Sequence, residues 1–255
     1  MSFNVRTSSA DDGENAWPLR REQAARTVIS REPDFVGLQE VQPDQLLFFA
    51  AALYGYRHVG RSREAERGSG EAVPLFYHAG RWAIDESETG TFWLSDTPDV
   101  PGSRSWGNYF PRIVTWARLV HRETGRAFYV YNLHLDHESE NARARSSELL
   151  RRRIGERRHD DPVIVMGDFN AEPSSAVLQA LTGDGALVDT FAAAAANAGG
   201  ATGTFHEFTG ARDGRRIDFI LVSSDIQVQD AAILHDEDDG RYPSDHFPVT
   251  ATIGF

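Results

Sequence analysis

Val163-Ile164-Val165-Met166 runs without a polar residue into Gly167-Asp168-Phe169-Asn170. An uninterrupted apolar run of this length predicts a strand buried in a core, and a core strand needs partners around it. Short apolar runs supply them: strands are predicted over 3–5, 35–39, 56–60, 73–78, 91–94, 113–120, 127–135, 217–222, 226–234 and 248–253. Helical spacing through Ala24, Ala25, Val28 and Ile29 predicts a helix over 17–31. Further helices are predicted over 43–53, opened by Pro43, over 141–154, and after Pro173. Many strands with few helices imply layered sheets with helices packed outside. No convincing boundary divides the chain. The Gly- and Ser-containing stretch from Arg61 to Glu71 reads as a loop, and the Ala-rich stretch 192–200 as a helix turn running into a loop. The expectation is one domain over residues 1–255.

Composition narrows the chemistry. The chain has no cysteine, which removes disulfides, thiolate metal sites and a cysteine nucleophile. Any metal would be held by oxygen or imidazole, favouring Mg²⁺, Mn²⁺ or Ca²⁺. The formal net charge is −12, from 26 basic and 38 acidic residues. The dense basic cluster from Arg143 to Arg158 reads as the solvated face of a helix whose apolar side is Leu149, Leu150 and Ile154. That balance argues against a grip on long nucleic acid, and less against a small phosphorylated substrate that needs only a local positive site. No apolar run approaches the ~18–20 residues of a membrane span. The first residues contain no apolar core of a signal peptide, so a cytoplasmic location is expected.

The chemistry-bearing residues sit at strand ends. Alternation along an extended chain lets Asp168 and Asn170 share a side while Phe169 enters the core. A carboxylate and an amide there can orient a water and bind an oxyanion. Asp218 interrupts an apolar strand in Arg216-Ile217-Asp218-Phe219-Ile220, and a buried carboxylate needs a partner. His246, in Ser244-Asp245-His246, is a plausible one; an Asp–His pair favours imidazolium, which suits a phosphate oxygen. Glu40 ends the apolar run Gly37-Leu38-Gln39. His134 and Asp136 share a face in Asn132-Leu133-His134-Leu135-Asp136-His137.

Six stretches in order carry a resemblance: Ser2-Phe3-Asn4-Val5-Arg6, Gly37-Leu38-Gln39-Glu40-Val41, Asn132-Leu133-His134, Gly167-Asp168-Phe169-Asn170, Ile217-Asp218-Phe219 and Ser244-Asp245-His246. Together they resemble the motifs of the endonuclease/exonuclease/phosphatase superfamily. The resemblance implies a DNase I-like, four-layer α/β sandwich with two mainly antiparallel sheets face to face and helices outside. It implies a phosphoester hydrolase using Mg²⁺, with Mn²⁺ able to substitute. Glu40 resembles the principal metal ligand, with Asn4 and Asp245 near the ion. Asp168 would orient or deprotonate the attacking water, and Asn170 would bind phosphate. Asp218 would pair with His246, which stabilises the phosphate. His134 would bind phosphate or protonate the leaving oxygen. Glu71 resembles the carboxylate that steadies that histidine, and Arg112 a phosphate-contacting arginine.

Substrate identity is less legible. Trp17, Trp93, Trp106, Tyr109 and Phe205 could line a pocket, and Trp106 and Tyr109, in a Gly/Ser-containing loop, are the better candidates for substrate contact. Asp136, His137 and the acids from Asp236 to Asp239 could hold a second cation, with solvent-facing loop charge the blander reading. A phosphorylated small molecule or a short nucleic acid is the expected substrate, and no protein partner is implied. The alternative is an endonuclease or exonuclease on DNA or RNA, distinguished by a basic rim around the Asp168–His246 mouth.

Overall fold

A computed structural model describes residues 1–194 and 202–254. Twelve strands form among them: β1 (Ser2–Asn4), β2 (Phe35–Gln39), β3 (Tyr56–Val59), β4 (Leu75–His78), β5 (Trp82–Trp93), β6 (Ile113–His121), β7 (Ala127–His134), β8 (Val163–Asp168), β9 (Leu187–Asp189), β10 (Asp218–Ser223), β11 (Gln227–Ile233) and β12 (Val249–Gly254). They build two six-stranded sheets, ordered β11-β12-β1-β2-β4-β3 and β5-β6-β7-β8-β10-β9. Pairing is antiparallel except between β1 and β2 and between β7 and β8. The helices are α1 (Trp17–Ile29), α2 (Pro43–Ala52), α3 (Glu140–Gly155), α4 (Ala176–Thr182) and α5 (Thr190–Ala193), with a 3-10 turn over Gly13–Asn15.

Period-2 alternation explains why the central strands look apolar throughout. On β7, Phe128 and Val130 join a core shared with the other sheet, while Tyr129, Tyr131 and Leu133 join a second core with Leu149 and Leu150 of α3. On β8, Ile164 and Met166 face the opposite sheet, and Val163 and Val165 face the helix side. The first sheet is covered by α1 and α2 through Ala24, Val28 and Phe49 against Phe3, Val36 and Leu38. Both faces of each sheet are therefore dry, which gives the four layers. Local chemistry starts the helices: Pro43 with a Gln42–Gln45 capping box opens α2, and the Ser139 side chain accepts the Ala142 N–H at the start of α3.

The two sheets are also stitched by a polar network. Asn132 of β7 is fully buried, donates to the carbonyls of Leu38 and Pro74 at 2.9 Å each, and accepts from Gln39 at 2.7 Å. Gly37 makes room for it, because a Cβ there would lie 2.5 Å from Asn132 Oδ1. Asn132→Leu keeps nearly the same volume but strands these groups without water. It is expected to cost about 2–4 kcal/mol in urea unfolding; a loss below ~1 kcal/mol would show that the stitch is energetically idle.

Several local expectations need correction. β5 extends from Trp82, well before the predicted start at 91. It is a sheet edge whose exposed Glu86 and Ser87 hide the alternation, and its pairing slips between Ile84 and Thr89. The short β9 and α5 carried no periodic signal. Most of the stretch 192–200 lies outside the described residues. The Arg-rich α3 does carry a charged outer face, but its arginines are paired: Arg153 with Asp99 at 2.7 Å, Arg152 with Glu156 at 3.9 Å, and Arg151 with Asp184.

Candidate active site

Both parallel pairs finish at the same edge of the sandwich. β7 ends in His134 and β8 in Asp168, which face each other in register; Asp218, at the start of antiparallel β10, is opposite Asp168 on its other side. All three lie on the face that looks toward the first sheet, whose β1 and β2 end in Asn4 and Gln39. Asp245 and His246 precede β12, the neighbour of β1. Asn4 spans the sheets, donating to Glu40 Oε1 and to Asp168 Oδ2 at 3.0 Å each. Ser244 donates to the Asn4 carbonyl at 2.7 Å, and buried Arg20 donates to the carbonyls of Val5, Arg6 and Pro243, so the short first strand is well anchored.

Three residues of the cleft adopt left-handed backbone: Arg6 (φ 54°), Glu40 (φ 61°) and Asn170 (φ 47°). Each follows the end of a strand and lines the cleft, in a strained conformation of the kind that collects at functional sites. The Asn170 N–H donates to Asp168 Oδ1 at 2.8 Å, and its side-chain amide donates to the Leu135 carbonyl at 3.1 Å.

Burial and the adjacent Asp218 push the Asp168 carboxyl up to about 7. Burial alone would discharge His246, but the charge of Asp218 and its 2.9 Å hydrogen bond to Nδ1, then Asp245 and Asp168, raise it to about 10. His246 is thus an imidazolium with Nε2 3.9 Å from Asp168 Oδ2. His134 is the opposite case: burial, then Arg112 and Arg63, hold it well below its ordinary value, so it is neutral at 3.5 Å from the same oxygen. Burial opposes ionisation of Glu40, but the Asn4 amide, His246, the Thr7 N–H and Arg6 together hold its carboxyl below the usual range. Burial pushes Asp245 up, against the pull of His246.

These groups fit a hard divalent cation. Glu40 and Asp245 are neighbouring carboxylates, Glu40 adding to the cost of ionising Asp245, and they offer hard oxygen ligands, with the Asn4 amide nitrogen at 3.0 Å from Glu40 and Arg6 Nε at 3.7 Å from Asp245. Asp168, Asp218 and His246 also bring ligand atoms within 4.8 Å of one another. That triple suits a metal less well, because His246 is held protonated and bonded to Asp218 rather than offering a lone pair. Asn4, expected near the ion, turns its nitrogen toward the carboxylates of Glu40 and Asp168, and its oxygen accepts the Arg6 N–H at 3.0 Å.

The residues open onto a cleft of about 420 Å³ lined by Glu40, His134, Asp168, Asn170, Asp245 and His246. Arg112 lines it as expected, contacting His137 Nδ1 at 2.8 Å. Glu71 also lines it, but its partner is Arg63 at 2.5 Å rather than His134. Trp106 does not reach the cleft: its indole donates to Asp96 at 2.9 Å and lies beneath Arg145, in a separate depression. Tyr109 is 66% exposed outside the lining, where its neighbour Phe110 takes the wall position. Trp17 and Trp93 are core residues, whereas Phe205 lines the cleft with its ring 4.9 Å from His246. Asp136 lies in the loop after β7 but does not face solvent; it is buried, 3.6 Å from Arg112, and accepts the N–H groups of Glu138 and Ser139. Asp236 and Asp238 pair with Arg31 and Arg26. Sequence reasoning missed Arg63, Arg215 and Phe110, which sit on loops without periodic signal, and passed over Arg6 although it lies in a quoted motif.

Comparison with known proteins identifies the family and the fold. A family model described as the Endonuclease/Exonuclease/phosphatase family matches residues 1–246. A mannosyl-6-phosphatase of Bacteroides thetaiotaomicron VPI-5482 is 33% identical, with TM-score 0.92, covering 100% of this chain and 98% of that one. An endonuclease/exonuclease/phosphatase from Bacteroides vulgatus is 32% identical, with TM-score 0.92, covering 99% and 97%. An uncharacterized protein of Acanthamoeba polyphaga mimivirus is 29% identical over 164 residues, 61% of this chain and 60% of its own length. The chain therefore matches about three fifths of that viral relative.

Proposed function

Because the chain belongs to the endonuclease/exonuclease/phosphatase family and is a phosphoester hydrolase, we propose that it uses Mg²⁺, with Mn²⁺ as a substitute, to hydrolyse small phosphorylated molecules by direct attack of water. The carrying observation is the placement of Asp168 among Asn4, His134 and His246 at the floor of a cleft whose arginines are matched by acids. Arg6 pairs with Asp12 at 3.0 Å, Arg63 with Glu71 at 2.5 Å and Arg215 with Glu172 at 3.3 Å, while Arg112 lies 3.6 Å from Asp136. Such a rim supports a small anionic ligand better than a long polyanion, which is gripped by unbalanced basic surface.

Asp168 orients the attacking water and takes its proton, a task favoured by a carboxyl raised toward neutrality. The imidazolium of His246 and the amide of Asn170 hold phosphoryl oxygens as charge builds on them. His134, neutral and buried, sits where it can donate a hydrogen bond to the phosphoryl group or the leaving oxygen. Glu40 and Asp245 would hold the cation, which supplies Lewis-acid charge at the phosphorus centre. Asn4 keeps Glu40 and Asp168 in fixed relation.

The relative named as a mannosyl-6-phosphatase makes sugar phosphates the first class to try. Product release should be measured for sugar phosphates, p-nitrophenyl phosphate, bis-p-nitrophenyl phosphate, oligonucleotides and plasmid. The expected result is turnover of small esters in Mg²⁺ or Mn²⁺, loss in EDTA and recovery on adding metal back. Nucleic-acid cleavage at enzyme levels that leave every small ester intact would establish the nuclease alternative. Activity undiminished by EDTA would overturn the metal assignment.

A further inference from the structure

Arg63 and Arg112 are both buried in the cleft wall, 7% and 4% exposed, and close enough for their charges to oppose one another. Two buried like charges side by side are costly unless anions match them. Glu71 occupies only one terminal nitrogen of Arg63, Nη1. Arg63 Nε is buried without a hydrogen bond, 3.6 Å from Glu64 Oε1, and Nη2 makes none among the described residues; the residue lines the cleft. Arg112 repeats the pattern: Nη2 meets His137, Nε is buried without a hydrogen bond at 3.6 Å from Asp136 Oδ2, and Nη1 makes no hydrogen bond among the described residues.

Arg63 is also held rigid without any ligand. Its N–H donates to the Glu71 carbonyl at 2.8 Å, its carbonyl accepts from the Trp93 indole at 2.6 Å, and its guanidinium lies 4.5 Å over the Phe110 ring. Preorganised donors of this kind bind an anion without first being ordered. The pair stands beside His134, whose imidazole feels both charges, in the wall shared by His134, Glu71 and Arg112.

We propose that Arg63, together with Arg112, receives the non-esterified oxygen that a phosphomonoester has and a phosphodiester lacks, so that the substrates of this site are monoesters. The proposal rests on phosphoester hydrolysis at Asp168. A monoester dianion carries three non-bridging oxygens. His246 with Asn170 serves one, a cation held by Glu40 and Asp245 would serve another, and the two guanidinium groups serve the third. A diester puts its second alkoxy group at that third position, where it carries no formal charge and crowds the wall formed by Arg63, Phe110 and Arg112.

The test compares wild type, Arg63→Gln, Arg63→Lys and the double variant Arg63→Gln/Glu71→Gln, which leaves no unpaired carboxylate behind. Kinetics with p-nitrophenyl phosphate and bis-p-nitrophenyl phosphate are paired with calorimetric binding of inorganic phosphate and dimethyl phosphate. Wild type should favour the monoester and bind phosphate more tightly than dimethyl phosphate. Arg63→Gln should lower kcat/KM on the monoester by about 10- to 100-fold and weaken phosphate binding similarly, while the diester loses less than about threefold. Arg63→Lys should recover part of the loss, since it keeps the charge but not the planar fork. Parallel losses on both esters, or a wild type that prefers the diester, would overturn the proposal. If wild type hydrolyses neither ester, the catalytic reading falls, and the two binding isotherms still decide whether Arg63 selects the dianion.

Discussion

Asp168→Asn is expected to lower kcat by about three orders of magnitude with the fold intact, because it removes the proton acceptor and keeps the side-chain volume. The wild-type pH profile should identify the group. Asp168 must be ionised to act, and its carboxyl stands near 7, so the rate should rise through that range. His246 must be protonated, and it stands near 10, so the rate should fall above that value. Cation binding beside Glu40 favours the ionised carboxylate and should move the rising limb to lower pH. The stability signs are distinct from the activity signs. Both groups are raised in the folded state, so each contributes stability that is complete below its unfolded value and lost as pH rises through its folded value. For Asp168 that window runs from about 4 to about 7, and for His246 from about 6.5 to about 10. Activity of Asp168→Asn within tenfold of wild type, or an unchanged rising limb, would remove Asp168 from the proton-accepting role.

Gly167→Ala is expected to destabilise the protein by about 3–5 kcal/mol and lower its Tm by roughly 10 °C. Gly167 has φ 151°, and a Cβ there would meet the Leu133 carbonyl oxygen at 2.1 Å. That oxygen belongs to the paired strand β7, so no flexible side chain can move aside. Relief must come from separating β7 and β8 where His134 and Asp168 face each other. Activity should therefore fall beyond what unfolding explains, measured well below the transition. A variant that unfolds within about 2 °C of wild type would show that the strand pair has slack here.

The strands were the most legible part of the fold because both sheet faces are covered, and burial makes each central strand a conspicuous apolar run. β5 was mostly missed for the converse reason: an edge strand with exposed charge loses its alternation. Asp218 was readable as a buried carboxylate in need of a partner, and His246 does meet it at 2.9 Å. Asn4 was readable by position but not by contact, since which of its amide atoms faces Glu40 depends on where the Arg6 N–H falls. Trp106 and Tyr109 were chosen for their loop; Trp106 lies in a separate depression, and Tyr109 stands outside the cleft lining, next to Phe110, which belongs to it. Arg63 gave no signal at all, because a basic residue in a Gly- and Ser-containing loop resembles any other until a neighbour buries it.

Sequence alone determined eleven of the twelve strands, the layered architecture and the ordered acids, amides and histidines at strand ends, since period and apolar patterning are local properties of the chain. Tertiary structure decided what those residues are to one another. Only the meeting of two sheet edges places Asn4 within 3.0 Å of Asp168 across 164 positions of sequence. Only the Asp218 carboxylate, against the pull of burial, keeps His246 charged, while burial together with Arg112 and Arg63 keeps His134 neutral. The same imidazole thus acquires opposite charge states in one cleft, because desolvation and neighbouring charge are set by the fold and not by residue type.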